Sequence, residues 1–273
     1  MSLVEEADQW DSKSAAVVAE SPWLYAYKGD SWSAAPTLPS RNGQGMAILM
    51  VHGQPGSGRL WGALPGHLSR LGPVYSYDRP GWGAHRALPG DLRYNAQCLC
   101  AVAAALGGHV LVVGYSYGAA VALEAVAIGC KAIDGLVLAA PAANGLAVGP
   151  LDRAFEPSWI SKATAHAAAW GASGRLPSSL ERALIGAHSL AVESGSLRGD
   201  LNRLRTAEAA AVPVAIVAGL ADRTVPPTSV SVLASALGAE QVRWSSTSGH
   251  LLPLRRPRLV AEAVASVMRS AHR

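Results

Sequence analysis

The chain has 273 residues, half of them apolar and only 15% charged, which places it with proteins that bury a core and excludes a disordered or solvating chain. At a soft allowance of about 150 residues per domain, that length accommodates one large α/β core or a core with an insertion. The net charge of +4 comes mostly from scattered arginines, and the one dense cluster, Arg255-Arg256-Pro257-Arg258, has no aromatic interleaving, so no nucleic-acid partner is expected.

Cys98, Cys100 and Cys130 make an odd number without metal-type spacing, so neither a disulfide framework, a metal site nor a cofactor is expected. The start, Met1-Ser2-Leu3-Val4-Glu5-Glu6, is acidic where a secretory signal is basic and then apolar, and a cytoplasmic location is the expectation. Between Asn95 and Leu123 no charged residue occurs, a stretch longer than the roughly 20 residues that span a bilayer. Gly107-Gly108, Gly114 and Gly118 interrupt it, so it reads as helix, buried strand and helix, with no membrane partner.

Residues 1–45 carry little pattern apart from Trp23-Leu24-Tyr25-Ala26-Tyr27, a candidate edge strand. Six short apolar or β-branched runs then follow: Ala47–Val51, Val74–Tyr77, Val110–Val113, Leu136–Ala139, Val214–Val217 and Val242–Trp244. Helical patterns separate most of them. Trp61, Leu64, Leu68 and Leu71 recur at three-to-four spacing, with Pro65 marking a kink or the true start. Leu92, Ala96, Leu99, Ala103 and Leu106 do the same after Asp91, a candidate N-cap. A closing helix is expected over 258–272, with Leu259, Val260, Ala263, Val264 and Val267 inward. Strand and helix in alternation predict a mostly parallel sheet covered on both faces.

The alternation fails over 142–210, where alanine-rich helical stretches, Trp159, Trp170 and glycine breaks occur without a convincing strand. The expected organisation is therefore a core from 1–141 and 211–273, with 142–210 a helical cap over the carboxyl ends of the strands, where open α/β sheets keep their sites. An ordinary pair of surface helices is the other reading.

The most informative string is Gly114-Tyr115-Ser116-Tyr117-Gly118, placed between an apolar run and an alanine-rich helix. Strand, sharp turn and helix in that order hold a serine alcohol exposed to a base, with backbone N–H groups beside it. Alone, a five-residue match in a chain with 28 glycines is weak. The loop Gly53-Gln54-Pro55-Gly56-Ser57-Gly58-Arg59-Leu60 nearly spells a phosphate loop, but Arg59 replaces the lysine, Leu60 the Mg²⁺-binding hydroxyl, and Pro55 lacks one cradle N–H.

Taken with His52–Ser57, Asp78-Arg79-Pro80-Gly81-Trp82-Gly83, Gly219–Pro226 and Gly249-His250-Leu251-Leu252-Pro253, the Ser116 turn makes the chain resemble serine hydrolases of the α/β-hydrolase fold. The resemblance implies that fold: a mostly parallel central sheet, helices on both faces and a helical cap insertion. It implies Ser116 as nucleophile, His250 as general base and Asp222 as its orienting acid, in the chain order of this fold. Asp200 and Asp134 are weaker substitutes, and seven of the eight histidines lack a matching motif in a suitable place. The oxyanion donors would be the backbone N–H groups of Gln54 and Tyr117. Asp78 and Arg79 read better as turn-fixing residues than as acid or electrophile.

The implied reaction is cleavage of a carboxylic ester or related acyl bond through a covalent acyl-enzyme, without metal or cofactor. Thioesters, lactones, amides and a carbon–carbon bond beside a ketone stay open. Trp159 and Trp170 hint at a small-molecule substrate with an apolar or aromatic acyl group. The other class of reading is a ligand-sensing or partner-binding protein with the same fold and slow hydrolysis. Oligomeric state has no signature here.

Overall fold

The reversal of strand order that creates a crevice is built from two short apolar runs, Ala47–Val51 (β3) and Val110–Tyr115 (β5), which lie side by side and parallel. A computed structural model describes residues 21–35, 45–171, 177–204, 206–239 and 242–272. Leu24–Lys28 (β1), Ser31–Ala34 (β2), Val74–Tyr77 (β4), Ile133–Ala139 (β6), Val214–Gly219 (β7) and Val242–Ser245 (β8) complete one sheet of eight strands in the order β2-β1-β4-β3-β5-β6-β7-β8. All neighbouring pairs are parallel except β1 with β2 and β1 with β4. This is the α/β-hydrolase fold expected from the sequence. The chain winds one way from β3 to β4 and the other way from β5 onward, so the loops after β3 and β5 open into the same crevice.

Period-two alternation explains why those runs are apolar throughout. Ile48 and Met50 face one layer with Leu111, Val113, Val137 and Val217, while Leu49 and Val51 face the other with Val112, Leu136, Leu138 and Ile216. Helices α1 (Leu64–Leu68) and α10 (Pro257–Ala271) cover the first face. Helices α2 (Leu92–Ala105), α3 (Tyr117–Ala127) and α8 (Pro227–Ala236) cover the second. Each fully buried Leu, Ile or Val side chain contributes about 1.5–3 kcal/mol to this layering.

Local signals act as written in the sequence. Asp91 caps α2, its carboxylate accepting from the Tyr94 N–H at 2.9 Å. Pro65 stands in the first turn of α1, where its missing N–H removes no helical bond, so it marks a start and not a kink. Val260, Ala263, Val264 and Val267 are the buried stripe of α10. Two expectations need correction. The strand at Leu24–Lys28 is not the edge, because β2 pairs outside it. Trp61 and Leu71 lie outside α1, which is shorter than their spacing implies.

Residues 142–210 contain a 3₁₀ turn at Gly145–Ala147, α4 (Pro150–Phe155), α5 (Ser158–Gly171), α6 (Ser178–Arg203) and α7 (Thr206–Ala209), with no strand among the described residues. Helix α6 reaches the loops after β3 and β4: Ser194 Oγ accepts from Gln54 Nε2 at 3.1 Å, and Ser189 Oγ donates to the Gly81 carbonyl at 2.6 Å. Among the described residues no helix is long and apolar enough to cross a membrane. Helix α9 (Leu252–Arg255) follows β8 and leads into α10.

Candidate active site

Ser116 sits between β5 and α3 at φ +54° and ψ −120°, a conformation an L-residue adopts only when its surroundings impose it. The imposing contacts are visible. Its N–H donates to the Ala139 carbonyl of β6 at 3.0 Å, and its own carbonyl accepts from the Ala119 N–H at 3.0 Å. The two glycines of the motif are required by close packing. A Cβ at Gly114 would lie 2.6 Å from the Gly118 carbonyl oxygen, and one at Gly118 would lie 2.2 Å from the Val51 carbonyl oxygen. The helix thus starts against the backbone of β3, and the serine is left at the apex.

Three distant side chains meet there. His250 Nε2 is 3.0 Å from Ser116 Oγ, and His250 Nδ1 is 2.9 Å from Asp222 Oδ2. Asp222 follows β7 and is buried; its other oxygen accepts from the Thr224 and Val225 N–H groups at 2.8 and 2.9 Å. With Nδ1–H donated to the carboxylate, Nε2 is the free acceptor facing the serine hydroxyl. Tyr115 lies against the His250 ring, with centroids 5.3 Å apart, and burial together with the Asp222 charge pushes its phenol up to about 12.

The weaker acids are engaged elsewhere. Asp134 pairs with exposed His109 at 3.0 Å, at the start of β5 and β6, the opposite end from the serine. Asp200 pairs with Arg203 at 2.6 Å and accepts from the Leu92 N–H at 3.3 Å.

Gln54 lies in the loop after β3, and the peptide that follows it is cis. Tyr117 is the first residue of α3, whose N-terminus brings a partial positive charge to the serine. Trp159 stands on the first turn of α5 and is 67% exposed; no hydrogen bond or ring contact among the described residues ties it to the triad. Trp170 belongs to the same helix, and its side chain lies outside what is described.

Asp78 and Arg79 have the turn-fixing contacts expected of them. Buried Asp78 accepts from Tyr25 Oη at 2.6 Å, from the Gly58 N–H at 2.7 Å and from the Ala84 N–H at 2.7 Å. Arg79 does more than fix a turn. Fully buried, it donates to the His52 carbonyl at 3.0 Å, the Gly53 carbonyl at 3.1 Å, Asn95 Oδ1 at 3.0 Å and both oxygens of Glu193. Trp82 Nε1 also donates to Glu193 at 3.0 Å. Burial raises the Glu193 pKa, opposed by Arg79 and these hydrogen bonds. Sequence reasoning passed over Glu193, which has no local motif around it.

Comparison with known proteins places the fold. A model of the Alpha/beta hydrolase family matches residues 48–263. Lipase LipV of Mycobacterium tuberculosis is 35% identical over 109 residues, a match covering 39% of this chain and 39% of that protein. Among solved structures, an α/β-hydrolase fold protein from Burkholderia ambifaria is similar with a TM-score of 0.64 at 24% identity, covering 82% of this chain and 91% of that one. A thermophilic esterase from Thermogutta terrifontis gives 0.62 at 21% identity, over 85% and 92% of the two chains. The structures share the fold, the family model spans the elements that carry the serine, the acid and the histidine, and the chain belongs to the α/β-hydrolase family.

Proposed function

We propose that the chain is a serine hydrolase that cleaves carboxylic esters through a covalent acyl-enzyme. The observation that carries this reading is the continuous relay from Asp222 Oδ2 to His250 at 2.9 Å and from His250 to Ser116 Oγ at 3.0 Å. Ser116 Oγ attacks the ester carbonyl carbon as its proton passes to His250 Nε2, and the carbonyl oxygen becomes an oxyanion facing the Gln54 and Tyr117 N–H groups. The imidazolium is held by Asp222. Collapse of the tetrahedral species breaks the bond to the alcohol, which leaves with the proton from His250. Water, deprotonated by the neutral imidazole, then attacks the acyl carbon, and the carboxylic acid departs as Ser116 regains its proton.

An ester is the favoured substrate because an alkoxide leaves more readily than an amine, and the lipase and esterase names of the similar proteins support it. Residues 142–210 serve as the cap, and an apolar or aromatic acyl group would lodge beneath it, with Trp159 and Trp170 as proposed contacts. The test is a series of p-nitrophenyl esters of increasing acyl length, run beside a fluorophosphonate probe whose adduct is mapped by mass spectrometry. Turnover together with an adduct on Ser116 is expected. An adduct without turnover would favour a ligand sensor, and neither would remove the serine from the chemistry.

A further inference from the structure

The peptide joining Gly53 to Gln54 is held at one end by a charged network that begins on α6. Gly53 O accepts from Arg79 Nη2 at 3.1 Å and lies 2.7 Å from His52 Nδ1, which donates to it, since His52 Nε2 accepts the Arg79 N–H at 3.0 Å. Arg79 is in turn clasped by the carboxylate of Glu193, and both side chains are 0% exposed. The Gly53–Gln54 peptide unit is planar and trans, so its C=O and N–H point in opposite directions. Fixing Gly53 O therefore fixes the Gln54 N–H. Its neighbour on α6 holds the same loop by a second route: Gln54 Nε2 donates to Ser194 Oγ at 3.1 Å and lies 3.4 Å from Asp152 Oδ1, to which Ser194 also donates at 3.0 Å.

We propose that Arg79, Glu193 and Ser194 are positioning residues for the oxyanion donor, with helix α6 setting the direction of the Gln54 N–H through the Gly53–Gln54 peptide plane. This inference rests on the ester-hydrolase reading above. A buried ion pair is by itself poor grounds for a role, because apolar residues of similar volume would hold the helix as well. Direction is what apolar packing does not supply. The guanidinium is a rigid fork, and here its N–H groups are divided between two carbonyls of the loop, Asn95 and one carboxylate of the helix. A charged donor on Gly53 O also polarises the same amide, making its N–H a better donor to an oxyanion.

The experiment uses Glu193→Gln and Ser194→Ala, with active sites counted by fluorophosphonate titration so that kcat is expressed per competent site. Glu193→Gln should lower kcat per titrated site by about 10- to 100-fold, a part of the 10²–10³-fold that removal of an oxyanion donor costs. Ser194→Ala, a smaller truncation chosen because it should fold normally, should lower it about threefold to tenfold. KM should stay within twofold, and the Ki of a trifluoromethyl ketone, whose adduct carries the oxyanion, should rise in proportion to the loss of kcat. A purely structural role predicts fewer titratable sites with kcat per site unchanged, and that result in both variants overturns the proposal. Wild-type enzyme that neither labels at Ser116 nor turns over would instead sink the ester-hydrolase reading.

Discussion

Asp222 offers His250 only one of its two oxygens, because the other is occupied by the N–H groups of Thr224 and Val225 at 2.8 and 2.9 Å. That division makes Asp222→Asn an informative change. The two backbone donors require an acceptor, so the amide oxygen stays with them and the amide NH₂ is turned toward His250 Nδ1. The imidazole must then accept at Nδ1 and carry its proton on Nε2, facing a serine hydroxyl it can no longer deprotonate. We predict a fall in kcat of about 10⁴-fold with folding retained. Hydrolysis of a p-nitrophenyl ester, with circular dichroism as the folding control, checks it; activity within tenfold of wild type would sink the assignment of Asp222.

Ser116→Ala and His250→Ala should each abolish nearly all turnover and should not add when combined, since the pair transfers one proton between them. A residual acceleration of about 10³–10⁴ over water is expected from substrate binding and the backbone donors. Comparing kcat for the two single variants and the double variant tests this. Losses that multiply would mean that the two residues act independently, contrary to their 3.0 Å contact.

Gly118→Ala probes the packing that creates the turn. The added methyl would lie 2.2 Å from the Val51 carbonyl oxygen and 2.7 Å from that of His52, and both obstacles are backbone. Relief requires α3 to withdraw from β3, which separates Ser116 from the loop bearing Gln54. Overpacking of this kind costs about 1–3 kcal/mol, so Tm should fall by about 2–12 °C, at roughly 2–4 °C per kcal/mol for a chain of this size. Thermal unfolding followed by circular dichroism decides it, and an unchanged Tm would contradict the described contact.

These residues also show which parts of the molecule could be read before its structure. Ser116, Asp222 and His250 each follow a short strand and carry their turn residues with them, and those motifs, through their resemblance to the α/β-hydrolase family, pointed to all three. The edge strand β2 escaped because Ser31–Ala34 is almost wholly exposed and has no apolar face to leave a period. Glu193 escaped for a different reason. Its carboxylate is buried only because Arg79, 114 residues away in sequence, and Trp82 close around it. A helix sequence such as Glu193-Ser194-Gly195-Ser196 looks solvent-facing until those partners are known. The crevice between β3 and β5 was legible as a topological consequence, whereas the side chains that tie α6 to it were not.

Acid should destabilise the protein from about pH 6.5 downward through His52. Burial, reinforced by the Arg79 charge, lowers the His52 pKa well below its ordinary 6.5, against the opposing influence of the Gly53 carbonyl. Its hydrogen bonds agree: one nitrogen donates to Gly53 and the other accepts from the Arg79 N–H, so the ring has no place for a second proton. Below pH 6.5 the unfolded chain binds a proton here that the native protein refuses, so stability is full above that pH and declines as pH falls toward the depressed native value. The loss is about 1.4 kcal/mol per pH unit inside the window. His85, lowered by burial beside the Trp23 ring, adds to the slope, whereas Glu193, raised by burial, works against it nearer the carboxylate range. Urea unfolding at pH 7.5, 6.5 and 5.5 should therefore show falling stability in the wild type and a shallower slope in His52→Gln, whose absolute stability is lower. Equal slopes in the two proteins would mean that His52 is not the group whose protonation unfolds the chain.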